Sequence, residues 1–442
     1  MDYKFPKDFF FGVSNAAAQV EDGLSDPWLK LAEQDKVSCF KDVAHSKDRL
    51  RFWTNPNIEI ELAQELGVDV FRMSFEWSRL VPEKNTWDQE SALRYRDILL
   101  SLKSKGIKVM ATLFHHSVPT WFQDTGGWSK RESVDDFSFY SKKALDAFSD
   151  LVDWWITLNE PVPWSYLTYK EGIFPPGIKG SIRSHNQSLK NMAKAHNSFY
   201  AFAHQSHPSI KIGLAHHMGW HRGRGIFNKL LAIVTDYLTH WSFIKLIGKN
   251  MDFFGINYYG AEWMTLKGPA QYPDLEYSDA GRAVSPLGLE VQLKRIHKRY
   301  PDTPIIISEN GVGDDEDWVR PAYIHEHLAA IYKCINQGIQ VIGYIHWTLS
   351  DNFEWSDGYG PKFGLVKVER EKNLKRTPRE SFQIYKEICK QKGFNFESRN
   401  QAWEKYKSKK GLKRNYWRSD DNRSGLNSPK KRIMGINDWR HK

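Results

Sequence analysis

The chain has 442 residues, 40% of them hydrophobic, which suits one large domain or two ordinary ones around a substantial core. Its net charge of +10 is local: residues 401–442 carry thirteen Lys/Arg against four Asp/Glu. The rest is near neutral, which argues against a basic catalytic body that steers acidic substrates. Cys39, Cys334 and Cys389 are far apart and lack CxxC or metal-ligand spacing, arguing against a disulfide framework, a zinc site or any other bound metal.

The chain begins Met-Asp-Tyr-Lys-Phe-Pro without an apolar signal region, and no run approaches the ~18 apolar residues of a spanning helix, so a cytoplasmic, reduced setting is the expectation. Phe9 to Ser14 reads as a first buried strand, followed by Gln19 and Glu21. A helical pattern from Ile58 to Gly67 leads to a second strand, Val68 to Ser74, which contains Arg72. The amphipathic stretch Ala92 to Lys105 leads to the third, Ile107 to Phe114, ahead of His115-His116. A helix from Phe137 to Leu151 precedes the fourth, Trp155 to Asn159. The remaining strands are Lys211 to His216, Asp252 to Asn257, a run from Pro304 to Ile307, and Val341 to Trp347. A last helix lies near Pro378 to Cys389.

Eight buried-type strands alternating with helices over most of the chain predict a single (β/α)8 TIM barrel, an α/β fold spanning residues 1–392. Chemistry in such a barrel collects at the C-terminal ends of the strands. Gln19, Arg72, His115, Glu160, Asn257, Glu309 and Trp347 all fall at those ends. Two strands close on a glutamate: Thr157-Leu158-Asn159-Glu160-Pro161 and Ile307-Ser308-Glu309-Asn310-Gly311. A carboxylate ending a buried strand is costly unless something pairs with it or uses it. Two of them suit sugar-bond cleavage, which needs a carboxylate pair across one bond.

Those two motifs resemble the signatures of glycoside hydrolase family 1, the β-glucosidase family of retaining (β/α)8 barrels. Phe5-Pro6 with Gln19 and Glu21, Arg72-Met73-Ser74 with Trp77-Ser78-Arg79, Asn257-Tyr258-Tyr259 and the run Trp347 to Trp355 extend the resemblance to about Cys389. It implies that Glu160 is the acid/base and Glu309 the nucleophile, with Arg72 and Tyr259 keeping the nucleophile ionised and aimed. Asn159 would reach the sugar 2-hydroxyl. Gln19, His115, Glu354 and Trp355 would hold the terminal sugar, with Asn257 beside the pair and Trp347 as the stacking platform. No cofactor and no metal are implied. Phosphosugar-specific relatives carry Ser at the position of Glu354 and Lys at that of Pro361, so the resemblance implies an unphosphorylated sugar.

Some stretches point to one branch. His115-His116-Ser117-Val118-Pro119, Gly213-Leu214-Ala215-His216-His217 and Glu276 to Arg282 resemble the plant galactolipid galactosyltransferases of freezing tolerance and their microbial relatives. The expected function is therefore an exo-β-glycosidase on β-glucosides or β-galactosides. The alternative is transfer of galactose between glycolipids, and a third reading is a non-catalytic sugar-binding protein, against which the presence of both glutamates counts. His116, His216 and His217 suit packing and site lining equally. His325-Glu326-His327 places its two imidazoles on different helix faces, so a solvated helix is expected rather than a metal site. Trp121, Trp128 and Trp164 suit the core or the mouth of a site. Residues 393–442 read as a basic extension outside the barrel, solvated and partly disordered; the alternative is peripheral contact with anionic lipid through its charges and Trp403, Tyr406, Tyr416, Trp417 and Trp439. No nucleic-acid recognition motif accompanies that charge.

Overall fold

In the computed structural model, which describes residues 3–34, 48–416, 430–434 and 437–442, the eight apolar runs become eight parallel strands closed into a barrel. They are β1 (Phe10–Ser14), β2 (Val70–Ser74), β3 (Lys108–Phe114), β4 (Trp154–Asn159), β5 (Ile212–His217), β6 (Phe253–Tyr258), β7 (Ile305–Asn310) and β8 (Val341–His346). Each pairs with the next in chain order and β8 returns to β1. One inward residue from every strand fills the barrel: Phe10, Val70, Met110, Ile156, Ala215, Phe253, Ile306 and Ile345 form a single buried cluster. That stack makes the barrel a packed core and leaves its C-terminal rim as the place for a site.

The helices begin and end where local chemistry dictates. The helix Asn57–Leu66 stops at Gly67, whose φ of 70° closes the C-terminus in the left-handed region. The helix Gln89–Ser104 starts earlier than its apolar pattern because the Asp88 carboxylate accepts from the Ser91 N–H at 2.6 Å. Asn310-Gly311, which has the composition of a turn, instead ends β7. A Cβ at Gly311 would lie 1.9 Å from the Trp347 carbonyl oxygen, so glycine is required by close approach of β7 and β8.

Three sequence expectations are corrected. The extension packs on the barrel through Gly393–Phe394, one face of the helix that follows, Arg414, Tyr416 and Met434. Gly393–Phe394 pairs antiparallel with Tyr3–Lys4, and the helix Phe396–Ser408 buries Arg399, Ala402, Trp403 and Tyr406 at helical spacing. Trp403, Tyr406 and Met434 share a core with Val284, Val312, Val319 and Tyr323, so these aromatics are spent on packing and not on a lipid surface. Trp417, like Cys39, lies outside the described residues. Second, His325, Glu326 and His327 are buried, because this same helix covers theirs (Arg320–Asn336). Arg399 Nη2 donates to Glu326 at 2.6 Å, and each imidazole bonds a carbonyl one turn back at 2.8 Å. Third, one continuous helix, Ile226–Ile247, is apolar and long enough to cross a membrane by composition. Trp128 and Trp164 are core residues, and Trp121 donates its indole N–H to the Val81 carbonyl at 2.9 Å.

Candidate active site

Both strands that carry an acid lose their regular register just before it. Pairing between β4 and β5 shifts between Ile156 and Asn159, and pairing of β7 with β6 shifts between Ile307 and Glu309. Such irregularities re-aim the side chains that follow. Glu160 then adopts φ 45°, ψ 57° ahead of Pro161, which opens the helix Pro161–Tyr166. His116 and Trp355 also have positive φ, at 62° and 51°. A non-glycine residue there costs roughly 1–3 kcal/mol, and such strain gathers at functional sites. All three line one cavity of about 110 Å³.

That cavity collects most of the residues singled out in the sequence. His115, Asn159, Glu160, Tyr259, Glu309, Trp347, Glu354 and Trp355 form its wall. Arg72 is fully buried and aims its guanidinium at Glu309, donating to Oε1 at 2.5 Å and to the Ser308 carbonyl at 3.0 Å. The Tyr259 hydroxyl donates to Glu309 Oε2, also at 2.5 Å. Arg72 Nη2 reaches Asn159 Oδ1 at 2.7 Å, and Asn257 Nδ2 donates to that oxygen at 3.1 Å and to Glu160 Oε1 at 2.9 Å. Ser308 Oγ fixes the Asn257 amide by donating to its Oδ1 at 2.7 Å. With its oxygen doubly engaged, Asn159 turns its NH2 to His115 Nε2 at 3.0 Å. His115 is therefore neutral with its proton on Nδ1, in keeping with burial and the nearby Arg72, which lower its pKa well below the ordinary value. Gln19 is buried beside this group, its NH2 donating to the Phe353 carbonyl and its Oε1 left without a partner. Trp347 donates its indole N–H to Glu354 Oε1 at 3.4 Å.

His217, whose sequence position suits packing and site lining equally, sits against Glu160. Its Nδ1 lies 3.6 Å from Glu160 Oε1 and its Nε2 3.2 Å from Glu262 Oε1. Burial opposes an imidazolium there, yet the two carboxylates outweigh it and push His217 up to about 9. Glu160, despite burial, is held down to about 2 by His217 first and then His116 and Asn257. Glu309 is pushed up by burial and by the charge of Glu160, against the pull of Arg72 and Tyr259. The pairing thus favours an ionised Glu160 beside a protonated His217. The charges continue past Glu262 to His221 at 3.6 Å, and His221 and His240 stack at 4.8 Å beside Asp236. Arg295 holds Asp236 through both terminal guanidinium nitrogens, Nη1 and Nη2.

Sequence reading placed Arg282 and Glu262 in no role. Arg282 lines the cavity, stacks over the Tyr259 ring at 5.3 Å and donates to Glu262 at 3.4 Å. The only signal for it was its place in the branch-specific stretch Glu276 to Arg282. That loop is fixed by the C-terminal extension. Arg414, 3% exposed, lies 3.2 Å from Glu276, 3.5 Å from Asp279 and 3.2 Å from Asp314.

The sequence profile of glycosyl hydrolase family 1 matches residues 1–228 and 242–394. The chain is 36% identical to the chloroplastic galactolipid galactosyltransferase SFR2 of Arabidopsis thaliana, covering 98% of this chain and 82% of that one. It is 27% identical to β-glucosidase A of Thermotoga maritima, over 88% and 98% of the two chains. Among solved structures, a β-glycosidase from Pyrococcus horikoshii superposes with a TM-score of 0.83 at 28% identity, covering 91% of this chain and 98% of its own.

Proposed function

The chain belongs to glycosyl hydrolase family 1, and from that premise we propose that this glycoside hydrolase is a retaining exo-β-glycosidase acting on unphosphorylated β-glucosides or β-galactosides. The observation that carries the reading is the pair of 2.5 Å donors, Arg72 and Tyr259, on the two oxygens of Glu309 in a cavity that also holds Glu160. Glu309 attacks the anomeric carbon while the bond to the leaving oxygen breaks and that oxygen takes a proton from the Glu160 side. The glycosyl–Glu309 ester is then broken by water, or by a sugar hydroxyl, with Glu160 accepting its proton. His217 supplies what the ionised Glu160 lacks. The two hold one proton between them up to about pH 9, and the leaving oxygen draws it through the carboxylate.

Asn159 suits the 2-hydroxyl, because its amide is locked by Arg72, Asn257 and His115 on three sides. Trp347 suits the apolar face of a sugar, and Glu354 its outer hydroxyls. Four carboxyl groups, Glu160, Glu309, Glu354 and Asp357, line the wall with Arg282, while Arg72 and His217 are engaged by Glu309 and Glu160 behind it, a setting that supports an unphosphorylated sugar. Transfer of galactose between galactolipids is a second reading, favoured by similarity over nearly the whole chain to a galactolipid galactosyltransferase. Product analysis separates the two. Free sugar from aryl β-glucoside and aryl β-galactoside, with a β-galactosyl diacylglycerol untouched or simply hydrolysed, marks the glycosidase. Oligogalactosyl lipid with little free galactose marks the transferase. No turnover of any β-glycoside overturns both.

A further inference from the structure

The continuous helix Ile226–Ile247 follows β5 and lies along the barrel on one face only. Asp236, His240, Trp241, Phe243 and Ile247 are buried on that side. On the other, Ile226, Phe227, Leu230, Ile233, Val234 and Leu238 are between 55% and 80% exposed. Their spacing of one, four, seven, eight and twelve residues is that of a single helical stripe. Exposed apolar residues scattered singly need no explanation, but a contiguous patch of this kind marks an interaction surface. Leu266, on the loop of the hairpin that follows β6, is 84% exposed, and Ile178 and Ile182 after β4 are 42% and 58% exposed. Apolar exposure is thus concentrated on the segments leaving three consecutive strands at the rim that holds the cavity.

We propose that this helix lies flat in the surface of a lipid bilayer and presents the cavity to glycolipid headgroups. Charge selects a bilayer over a second copy of the chain or another apolar partner. Between Gly223 and Met251 the sole acid is the buried Asp236, while Lys229, Lys245 and Lys249 are exposed. A strongly apolar face bordered by lysines is the pattern of interfacial helices drawn to anionic lipid. Its buried half is committed to the barrel, so the helix rests on the membrane and does not cross it. Residues 229–241 are also the internal stretch between the two segments that the family profile matches, as expected of an addition to the shared catalytic barrel. The inference rests on the glycosidase reading only for the headgroup; the lipid contact itself stands on the helix.

The test is flotation of the full chain with phosphatidylcholine vesicles, with and without phosphatidylglycerol. Wild type is expected to float, more strongly with the anionic lipid. Phe227→Ser/Leu230→Ser/Ile233→Ser is expected to lose flotation by about tenfold or more while hydrolysing a water-soluble aryl β-glycoside at an unchanged rate. Lys229→Glu/Lys245→Glu, which leaves the apolar face intact, is expected to lose only the gain from phosphatidylglycerol. Turnover of a galactolipid should fall in the triple variant when the lipid is in vesicles and stay unchanged in detergent micelles. Wild type that stays in the aqueous phase, equal flotation of wild type and triple variant, or a dimer that the triple variant dissolves would each overturn the proposal. Flotation without any β-glycoside turnover would keep the surface and remove the glycosidase reading.

Discussion

Two buried charge clusters in this molecule teach opposite uses of the same material. At the strand ends, Glu309 faces Arg72 and Tyr259, yet it and Glu160 keep one side toward a cavity. At the C-terminal extension, Arg414 closes on Glu276, Asp279 and Asp314, and none of the four lines that cavity. The second cluster joins a remote segment to the loop bearing Arg282. The first is held by residues of the barrel itself and left open. Facing a cavity, not the presence of paired charge, separates a reacting carboxylate from a structural one.

The largest expected effect removes the open cluster's chemistry. Glu309→Gln or Glu160→Gln should lower kcat on aryl β-glycosides by more than about 10³-fold with the melting temperature nearly unchanged. Steady-state kinetics beside a thermal melt checks both halves. In the closed cluster the balance should reverse. Arg414→Met leaves three carboxylates without their cation and should cost roughly 3–5 kcal/mol of stability, read by denaturant unfolding, with a far smaller loss of kcat than either glutamate variant shows.

His217→Asn sharpens the comparison through pH. In the wild type the Glu160–His217 pair retains its proton until pH rises through about 9, so the alkaline limb of kcat/KM should fall there. Without the imidazolium, Glu160 must hold the proton alone, and the limb should move down toward the carboxylate range. The same imidazolium also stabilises the fold. Its pKa is raised above the unfolded value, so its contribution is present in full below about 6.5 and fades as pH rises through about 9. The smallest effect expected is at Glu354→Ser, where removing one carboxyl group from the wall should improve the ratio of 6-phosphoglycoside to glycoside turnover by about tenfold or less.

The barrel was legible because each strand is an uninterrupted apolar run between polar breaks, a pattern that a parallel sheet buried on both faces imposes on sequence. Glu160 and Glu309 were legible because an acid directly after such a run is costly unless something pairs with it or uses it. His217 was not, since a histidine at a strand end packs as readily as it ionises, and its two carboxylate partners, Glu160 and Glu262, come from a different strand and a distant hairpin. The extension was misread for a related reason. Arg399, Trp403 and Tyr406 lie on one face of a helix whose remaining surface is polar, so average composition reads as solvated while the spacing packs. The burial of Arg414 depends on three acids more than a hundred positions away or close to it, which no local pattern shows.

The most direct test of the account is trapping of the glycosyl intermediate. A 2-deoxy-2-fluoro-β-glycoside with an activated leaving group should add one fluoroglycosyl mass per chain, and peptide mapping should place it on Glu309, with no adduct in Glu309→Gln. An unlabelled chain that nevertheless releases the leaving group at a steady rate, or a label on any other residue, would contradict the double displacement proposed here.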